Sequence, residues 1–496
     1  MKYLRKLNFL ALVVPVYFAT RLVNFLIIPI FTDEAIYSYW AQVALHDPAN
    51  RFISLEDGKQ PLFIWLAAIF QRLISDPLVA TRLVSVFAGL GSLLGVYFLA
   101  RELFGTKVAK IAGVLYIILP FTLLYDRMAL FDSLLTMFCV WSVFLTYKMA
   151  KSPRLDYALL NGIILGLGLI TKSSISFFLY LLPASLIVFD FKKELLIKRL
   201  SKWLGLSVIT FAISETIYNA LRVSPLFYMI DRKNHEFIRT FSEVIKNPFL
   251  HFSGNINSMA TWLFQYNGPL ILVVPAVMIY GLAKKDKRII LLSVYILVPF
   301  LAKALFNQIL YPRFSLFYFP FIIILISFGI SLTLASLSKY KGLVWTVLSA
   351  LIIFPLVSSF YLLTNPPKAG IAGSDKFQYI NGWSSGYGIR QIVNILKTGN
   401  SKEKVYVGTE GTFGLLPFAL QIYFYGNPNI QVVGYWPVGS LPKQVLDSAK
   451  TQKTYFIFYQ NQNLPQMDDL AHLKLIGKYQ KGNGANFMSF YEVNGN

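Results

Sequence analysis

Long apolar runs alternate with short polar segments along the first 363 residues of the chain. A helix of about 17 to 25 apolar residues can cross the hydrocarbon layer of a membrane, and eleven runs have about this length. They lie near residues 8–31, 78–100, 108–125, 131–149, 155–170, 174–189, 203–222, 264–283, 289–306, 314–336 and 342–363. The pattern predicts a mostly α-helical, polytopic membrane bundle over residues 1–363.

A shorter apolar run at 61–75 determines how the loops are oriented. If this run is not a span, the N-terminal Lys2, Arg5 and Lys6 lie on the same side of the membrane as five short basic loops, and that side is the cytoplasm by the positive-inside rule. The basic loops lie at 101–110, 148–154, 192–202, 284–288 and 339–341. We therefore predict an interfacial or re-entrant helix at 61–75, in a protein of the plasma (inner) membrane with a cytoplasmic N-terminus.

The residues after about 364 differ in composition from the rest, because Gly, Asn, Pro and charged residues interrupt the apolar pattern. Short β-like runs at 404–408, 430–435 and 454–459 alternate with helical patterns at 387–397 and 414–425. We predict a small extracytoplasmic α/β domain over residues 364–496. The sequence does not indicate what this domain does.

Composition supports a membrane protein, because hydrophobic residues make up 55% of the chain and charged residues only 14%. The net charge of +22 is compatible with a nucleic-acid partner. Lys and Arg are nevertheless spread in short clusters between apolar runs, as in loops that face an anionic lipid surface. The expected partner is therefore the lipid bilayer and no nucleic acid. The single cysteine, Cys139, excludes an intrachain disulfide.

The predicted orientation places many charged residues on the outer face, including the loop at 32–77. They are Asp33, Glu34, Glu56, Asp57, Lys59, Asp126, Arg127, Asp132, Lys172 and Arg313, with Arg21, Glu215 and Lys303 in or near the membrane. Ionisable groups where apolar helices meet water are rare and often functional. Their common position predicts a site at the outer rim of the bundle.

Each of these charges also has a structural interpretation. Asp33 and Glu34 point about 100 degrees apart on a helix, so one can act as a base while the other orients it, or both can simply favour a helix N-terminus. Lys59 and Arg313 can bind a lipid phosphate or merely extend to the interface. A local ion pair around a short turn would explain Asp126, Arg127 and Asp132.

Two further observations concern burial and metals. Arg21 lies near the middle of the first apolar run, where an unpaired cation would cost at least about 2.5 kcal/mol, so it needs a partner or a water-filled cavity. The four histidines have no metal-ligand spacing. No cofactor is expected, and the need for a divalent metal is undetermined.

The order of the motifs resembles that of a known class of membrane enzymes. The motifs are FTDEA at 31–35, DGKQPL at 57–62, Trp65, ATRLVS at 80–85, residues 97–105, RMALFD at 127–132, TKS at 171–173 and YPR at 311–313. Together they are similar to the glycosyltransferases of the GT-C superfamily. They are similar in particular to the dolichyl-phosphate-mannose protein mannosyltransferases and the bacterial aminoarabinose lipid A transferases, which are often grouped as glycosyltransferase family 39 and its relatives. The resemblance covers about residues 10–335, and Gln60 departs from it where the family usually has a second proline.

The resemblance implies a hexosyl or pentosyl transferase that moves a sugar from a polyprenyl-phosphate donor to an acceptor hydroxyl, with inversion, at the outer face of the membrane. The acceptor can be a protein, a lipid such as lipid A, or a glycan. By the family's motif Asp33 is the base, and we predict Glu34 as its catalytic neighbour. Lys59 and Arg313 are our candidates for stabilising the leaving phosphate. Arg127, Asp132 and Lys172 complete the predicted substrate-binding set.

Three alternatives remain open. A lipid or sugar transporter or flippase would also have many spans with buried charges, but its charges would gather near the midplane, and the sequence has no visible inverted repeat. A scaffold protein could use the tail (residues 364–496) to bind a surface polymer. A membrane part that served only as an anchor would not need charges at so many helix ends. An oligosaccharide or polymer ligase is the alternative within the enzyme class.

Overall fold

The computed structural model describes residues 4–399, 403–459, 465 and 467–495. Lys2, which contributed to the predicted orientation, lies outside these residues. Helices dominate the first 364 residues, and a five-stranded sheet lies in the tail.

Seventeen α-helices form the membrane part within the described residues. They are α1 (Leu4–Leu22), α2 (Thr32–His46), α3 (Leu62–Leu73), α4 (Pro77–Phe104), α5 (Thr106–Ile118), α6 (Pro120–Tyr125), α7 (Phe131–Lys151), α8 (Leu155–Leu169), α9 (Ser176–Tyr180), α10 (Leu196–Asn219), α11 (Met229–Phe237), α12 (Phe241–Lys246), α13 (Phe252–Asn267), α14 (Val273–Ala283), α15 (Lys287–Phe306), α16 (Phe319–Ser336) and α17 (Lys341–Thr364). Capping residues set several of the boundaries. Asp76, for example, accepts hydrogen bonds from the backbone N–H groups of Leu78 (3.0 Å) and Val79 (2.9 Å) at the start of α4.

The predicted polytopic bundle is confirmed. Seven helical stretches of the described chain are long and apolar enough to cross a membrane. They are Pro77–Phe104, Phe131–Lys151, Leu196–Val223, Phe252–Ala283, Lys287–Phe306, Pro312–Ser336 and Gly342–Thr364. The other four predicted spans fall on shorter helices, among them α1 and α8, and the run at 61–75 forms the short helix α3. The protein is an integral multi-pass membrane protein.

Two buried ion pairs join helices near the start of α2. Arg21 of α1 binds Asp126 at 3.2 Å, and both side chains are at most 1% exposed. Arg82 of α4 binds Glu34 of α2 through two hydrogen bonds of 2.8 Å. Removing one member of such a pair leaves an uncompensated buried charge, so these pairs fix how α1, α2 and α4 meet.

The sheet of the tail has the strand order β2-β1-β3-β5-β4. Its strands are β1 (Val405–Glu410), β2 (Ile430–Tyr435), β3 (Lys453–Phe458), β4 (Leu473–Gln480) and β5 (Phe487–Val493), and its helices are α18 (Gly373–Lys376), α19 (Ile389–Gly399), α20 (Leu415–Phe424) and α21 (Lys443–Ala449). β1 is parallel to β2 and β3, whereas β5 is antiparallel to β3 and β4. The three predicted strands and the two predicted helices are confirmed, while β4 and β5 were not predicted.

The tail packs directly on α2. The ring of Tyr39 stacks on Phe418 of α20 with centroids 4.5 Å apart, and Gln42 donates a 2.7 Å hydrogen bond to the carbonyl of Ile422. Just before α2, the N–H of Gly386 donates to the carbonyl of Ile30 at 2.8 Å. The tail therefore holds the helix that carries the paired acids of the sequence.

Candidate active site

Two adjoining cavities lie at the end of the bundle that packs against the tail. The first has a volume of about 470 Å³ and is lined by the loops after α2 and α8, by α11 and by the end of α15. The second has a volume of about 490 Å³ and lies between the start of α2 and the tail. Five residues line both cavities, namely Tyr37, Lys59, Lys233, Phe237 and Arg313.

Asp33 faces the second cavity from the first turn of α2. Its Oδ2 lies 2.9 Å from a terminal nitrogen of Arg313, and the Asp33 side chain keeps 24% of its exposure. Lys59 lines the same cavity. An acidic and a basic side chain from two separate motifs therefore meet in one place, as the sequence predicted.

Glu34 points the other way and is fully buried. Besides its two bonds with Arg82, its carboxylate accepts hydrogen bonds from the backbone N–H groups of Ala129 (2.7 Å) and Phe31 (3.0 Å). These four bonds use the whole carboxylate to join α2, α4 and the turn before α7. The structure does not bring Glu34 to either cavity, which agrees with the expected angle between the two acids.

Five cations line the first cavity, namely Lys59, Lys172, Lys233, Lys303 and Arg313. Three of them bind a carboxylate: Lys172 binds Asp132 at 2.6 Å, Lys233 binds Asp57 at 2.7 Å and Arg313 binds Asp33. Among the described residues, Lys59 and Lys303 form no ion pair and instead lie over aromatic rings. The cavity therefore has positive charge available for an anion.

Lys59 owes its position to a tight turn. The preceding Gly58 has φ +64°, and a side chain there would collide with the backbone of Met229. The Lys59 Nζ lies 5.2 Å from the centroid of the Phe237 ring. Burial lowers the pKa of Lys59, although Asp33 and Asp57 oppose this effect. Burial likewise lowers the pKa of Lys172.

Gln60, which departs from the family pattern, has its own structural role. Its side-chain amide donates a 2.7 Å hydrogen bond to the hydroxyl of Ser173. Asn234 of α11 donates to the same hydroxyl at 3.3 Å. Gln60 therefore joins the Lys59 turn to the loop that carries Lys172.

Arg127 lies outside both cavities, although it was predicted to bind substrate. Its guanidinium donates hydrogen bonds of 2.7 to 3.0 Å to the carbonyls of Thr20, Val23 and Asn24 at the end of α1. The interpretation of a local Asp126–Arg127 ion pair is wrong, because the partner of Asp126 is Arg21. Arg21 thus has the partner that its burial required.

Several lining residues were not among the predicted site residues. Lys303 belongs to an apolar helix, where a lone charge is itself a signal of function. Lys233 and Phe237 belong to α11, and the sequence between α10 and α13 has no motif that we recognised. The aromatic residues of the tail, including Trp383 and Trp436, were also missed.

Comparisons with known proteins identify a related family and related folds. The sequence profile of the dolichyl-phosphate-mannose-protein mannosyltransferase family matches residues 58–218, a segment that includes Lys59, Asp132 and Lys172. No curated protein sequence matches the chain.

Solved structures share the fold at low sequence identity. ArnT from Cupriavidus metallidurans in the apo state has a TM-score of 0.57 at 14% identity, covering 98% of this chain and 97% of that one. The same protein bound to undecaprenyl phosphate has a TM-score of 0.58 at 13% identity, with 97% of each chain covered.

An oligosaccharyltransferase from Archaeoglobus fulgidus is also similar. With a tethered acceptor peptide it has a TM-score of 0.50 at 12% identity, and the match covers 82% of this chain but only 62% of that one. The predicted resemblance is confirmed by these matches. The chain shares the fold of these structures, and its residues 58–218 match the sequence profile of the dolichyl-phosphate-mannose-protein mannosyltransferase family.

Proposed function

We propose that the protein is an inverting glycosyltransferase that moves a sugar from a polyprenyl phosphate to an acceptor hydroxyl at the outer face of the membrane. The observation that carries this proposal is the position of Asp33. This carboxylate lies in one cavity and is bound to Arg313, which also lines the adjoining cation-rich cavity. A base for the acceptor and a site for the donor phosphate are therefore neighbours.

The reaction requires one proton transfer and one displacement. Asp33 takes the proton of the acceptor hydroxyl as its oxygen bonds to the anomeric carbon, and a positioned base of this kind contributes about 10² to 10⁴ in rate. The bond between that carbon and the phosphate oxygen breaks on the opposite face, and the electron pair leaves with the phosphate. Because phosphate departs as a stable anion, preorganised cations are more useful than a general acid.

The first cavity suits the donor. Its cations would bind the phosphate, while Phe177, Tyr180 and Ala302 continue the cavity along helical segments at 173–188 and 287–306. A polyprenyl chain needs such an apolar path next to a charged headgroup site. The structurally similar ArnT has been crystallised with bound undecaprenyl phosphate, which supports this choice of donor.

The proposal gives the remaining predicted residues different roles, and Glu34 and Arg127 no longer act on the substrate. Asp132 would hold Lys172 in position at the donor phosphate, Glu34 would act only by fixing α2, and Arg127 would cap α1. We also propose that the reaction is independent of divalent metal, because lysine and arginine side chains already supply the charge that the leaving phosphate needs; unchanged activity in a chelator would support this.

The orientation is part of the proposal. The basic loops place the N-terminus in the cytoplasm and the domain at 364–496 outside the inner membrane. Cysteine tags after Lys341 and near residue 450 should react with an impermeant reagent on opposite sides. Labelling of both from the same side would contradict the orientation.

The test of the function is release of prenyl phosphate from a panel of prenyl-phosphate sugars by purified protein. Asp33→Asn should abolish transfer while donor binding and the melting temperature stay unchanged. Glu56→Gln is the matched control, because this exposed acid of the same loop lines neither cavity. Transfer by Asp33→Asn at the wild-type rate would refute the role of Asp33. Movement of intact donor across the bilayer without release of phosphate would favour a flippase.

A further inference from the structure

We propose that the second cavity binds a neutral saccharide as the acceptor, with its sugar ring against aromatic side chains of the tail. This inference rests on the proposed function and specifies its acceptor class. The starting observation is that the cavity is bounded by two chemically different walls. One wall belongs to the membrane part and is charged, and the other belongs to the tail.

The wall from the tail has no charged side chain among its lining residues. Those residues are Trp383, Gly411, Thr412, Phe413, Gly414, Trp436 and Tyr459. The charged residues of this cavity all come from the membrane part. In a chain with a net charge of +22, a neutral wall indicates a ligand that is neutral where it touches the tail.

Three aromatic rings of this wall remain exposed. Trp383 is 44% exposed, Phe413 is 53% exposed and Trp436 is 56% exposed. Large apolar groups that stay open beside a site are typical of a binding surface. Flat rings of this kind fit the C–H faces of a sugar, whose hydroxyl groups point outward and stay hydrated, so each surface covers the other without burying a charge.

A buried lysine holds two of these lining residues together. Lys481 is fully buried, and its Nζ donates hydrogen bonds to the carbonyls of Trp383 (2.7 Å) and Tyr459 (3.0 Å). The N–H of Tyr459 also donates to Glu410 at 2.9 Å. Burial lowers the pKa of Lys481 to about 7. The buried Lys481 side chain thus links these two residues on the interior side of the wall and does not add charge to its surface.

Backbone geometry keeps the centre of the wall open. Gly411 and Gly414 have φ values of +100° and +121°, a conformation that favours glycine. The N–H of Gly411 is bound to the carbonyl of Tyr435 at 2.7 Å, so this loop is tied to the sheet. A ring placed against Phe413 or Trp436 would therefore meet a preformed surface, which reduces the ordering cost of binding.

The charged wall argues against an anionic acceptor. Two of its three cations are already paired, Arg313 with Asp33 and Lys233 with Asp57. The third, Lys59, also lines the donor cavity, where the proposed mechanism uses it. A phosphorylated acceptor would have to compete with the donor for the same lysine, whereas a neutral saccharide would need only Asp33 at its reacting hydroxyl.

Binding can be tested by saturation-transfer NMR with the full chain in lipid nanodiscs. The probes are methyl glycosides and trisaccharides of mannose, glucose and galactose, a phosphorylated disaccharide, and a serine-containing hexapeptide. We expect saturation of the C–H protons of a neutral saccharide. Trp383→Ala and Trp436→Ala should each weaken this binding about tenfold. Tyr425→Ala is the matched control, because this aromatic residue of the tail is 38% exposed and lines a different cavity.

The outcomes separate the acceptor class from the function. Binding of only the hexapeptide or only the phosphorylated disaccharide would overturn the inference, and so would no binding by any saccharide or unchanged affinity in both tryptophan variants. Any of these results together with donor-dependent release of prenyl phosphate that needs Asp33 would leave the proposed function intact. Loss of that dependence on Asp33 would instead remove the function itself.

Discussion

Lys59→Ala should weaken binding of the prenyl-phosphate donor more than substitution of either ion-paired lysine of the first cavity, Lys172 or Lys233. The reason is that, among the described residues, the Lys59 ammonium forms no ion pair with a carboxylate. The two carboxylates that favour its charged form are Asp33 and Asp57. Each of them is already bound to another cation. An incoming phosphate would thus meet an ammonium group that is largely buried and not yet neutralised.

The expected loss can be estimated from this environment. A net contribution of about 1.5 to 3 kcal/mol is usual for a hydrogen bond to a charged group, which corresponds to about 10- to 100-fold in Kd. The desolvation free energy of the Lys59 ammonium is incurred when the protein folds and not when the donor binds, so the upper part of this range applies. Lys233 is bound to Asp57 at 2.7 Å and to Glu236 at 2.8 Å, and Lys233→Ala should therefore cost only a few-fold.

The assay is equilibrium binding of a fluorescent prenyl-phosphate sugar to protein in nanodiscs, measured across pH. Because burial lowers the pKa of Lys59, its ammonium should deprotonate at a lower pH than a lysine in water, near 10.4. Wild-type affinity should then fall as the pH rises through that lowered pKa. Lys59→Arg should lose less affinity over the same range, because arginine stays protonated while Lys172, whose pKa burial also lowers, still loses its charge.

Two results would refute this reasoning. The first is an unchanged Kd for Lys59→Ala, which would mean that the phosphate binds elsewhere. The second is equal losses for Lys59→Ala and Lys233→Ala, which would mean that only the total charge of the cavity matters. In either case the unpaired charge of Lys59 would not determine the affinity for the donor.

Two further predictions concern stability. Arg82→Met should destabilise the fold by about 3 to 5 kcal/mol because it leaves Glu34 buried and unpaired. The double variant Arg82→Met/Glu34→Gln should recover much of the loss in melting temperature. No recovery would contradict a structural role for Glu34. Asp375 accepts hydrogen bonds from Tyr125 and Tyr266, and burial raises its pKa to about 7. Since this folded-state pKa lies above the ordinary value near 3.9, stability should fall as the pH rises from about 4 to 7, and Asp375→Asn should remove that dependence from the melting curves.

The membrane architecture could be predicted because it depends on local pattern. The length of an apolar run and the basic residues beside it determine whether a helix can span and which way it points. The prediction was weakest at α1, which ends at Leu22 although the predicted run continues to about residue 31, and at 108–125, which the structure divides into α5 and α6. Composition alone does not reveal that a turn interrupts an apolar segment.

The site was predictable only in part, because pairing across the chain is not a local property. The angle between Asp33 and Glu34 indicated that they would face different ways, but not which one would face the cavity. Arg21 and Asp126 are 105 residues apart, and nothing in the sequence favoured that pair over Asp126 with Arg127. Trp436 lies in the tail without any motif around it, so only the packing of the tail on α2 reveals its position.

The arrangement of charge also resolves a conflict within the proposed reaction. A carboxylate base and a departing phosphate are both anionic, and at short range in a partly buried site they repel each other strongly. Arg313 lines both cavities and is bound to Asp33 at 2.9 Å. Its guanidinium presents several N–H groups in a fixed plane, so it can remain bound to Asp33 while other N–H groups face the phosphate. One cation at the junction therefore allows the base and the leaving group to work side by side.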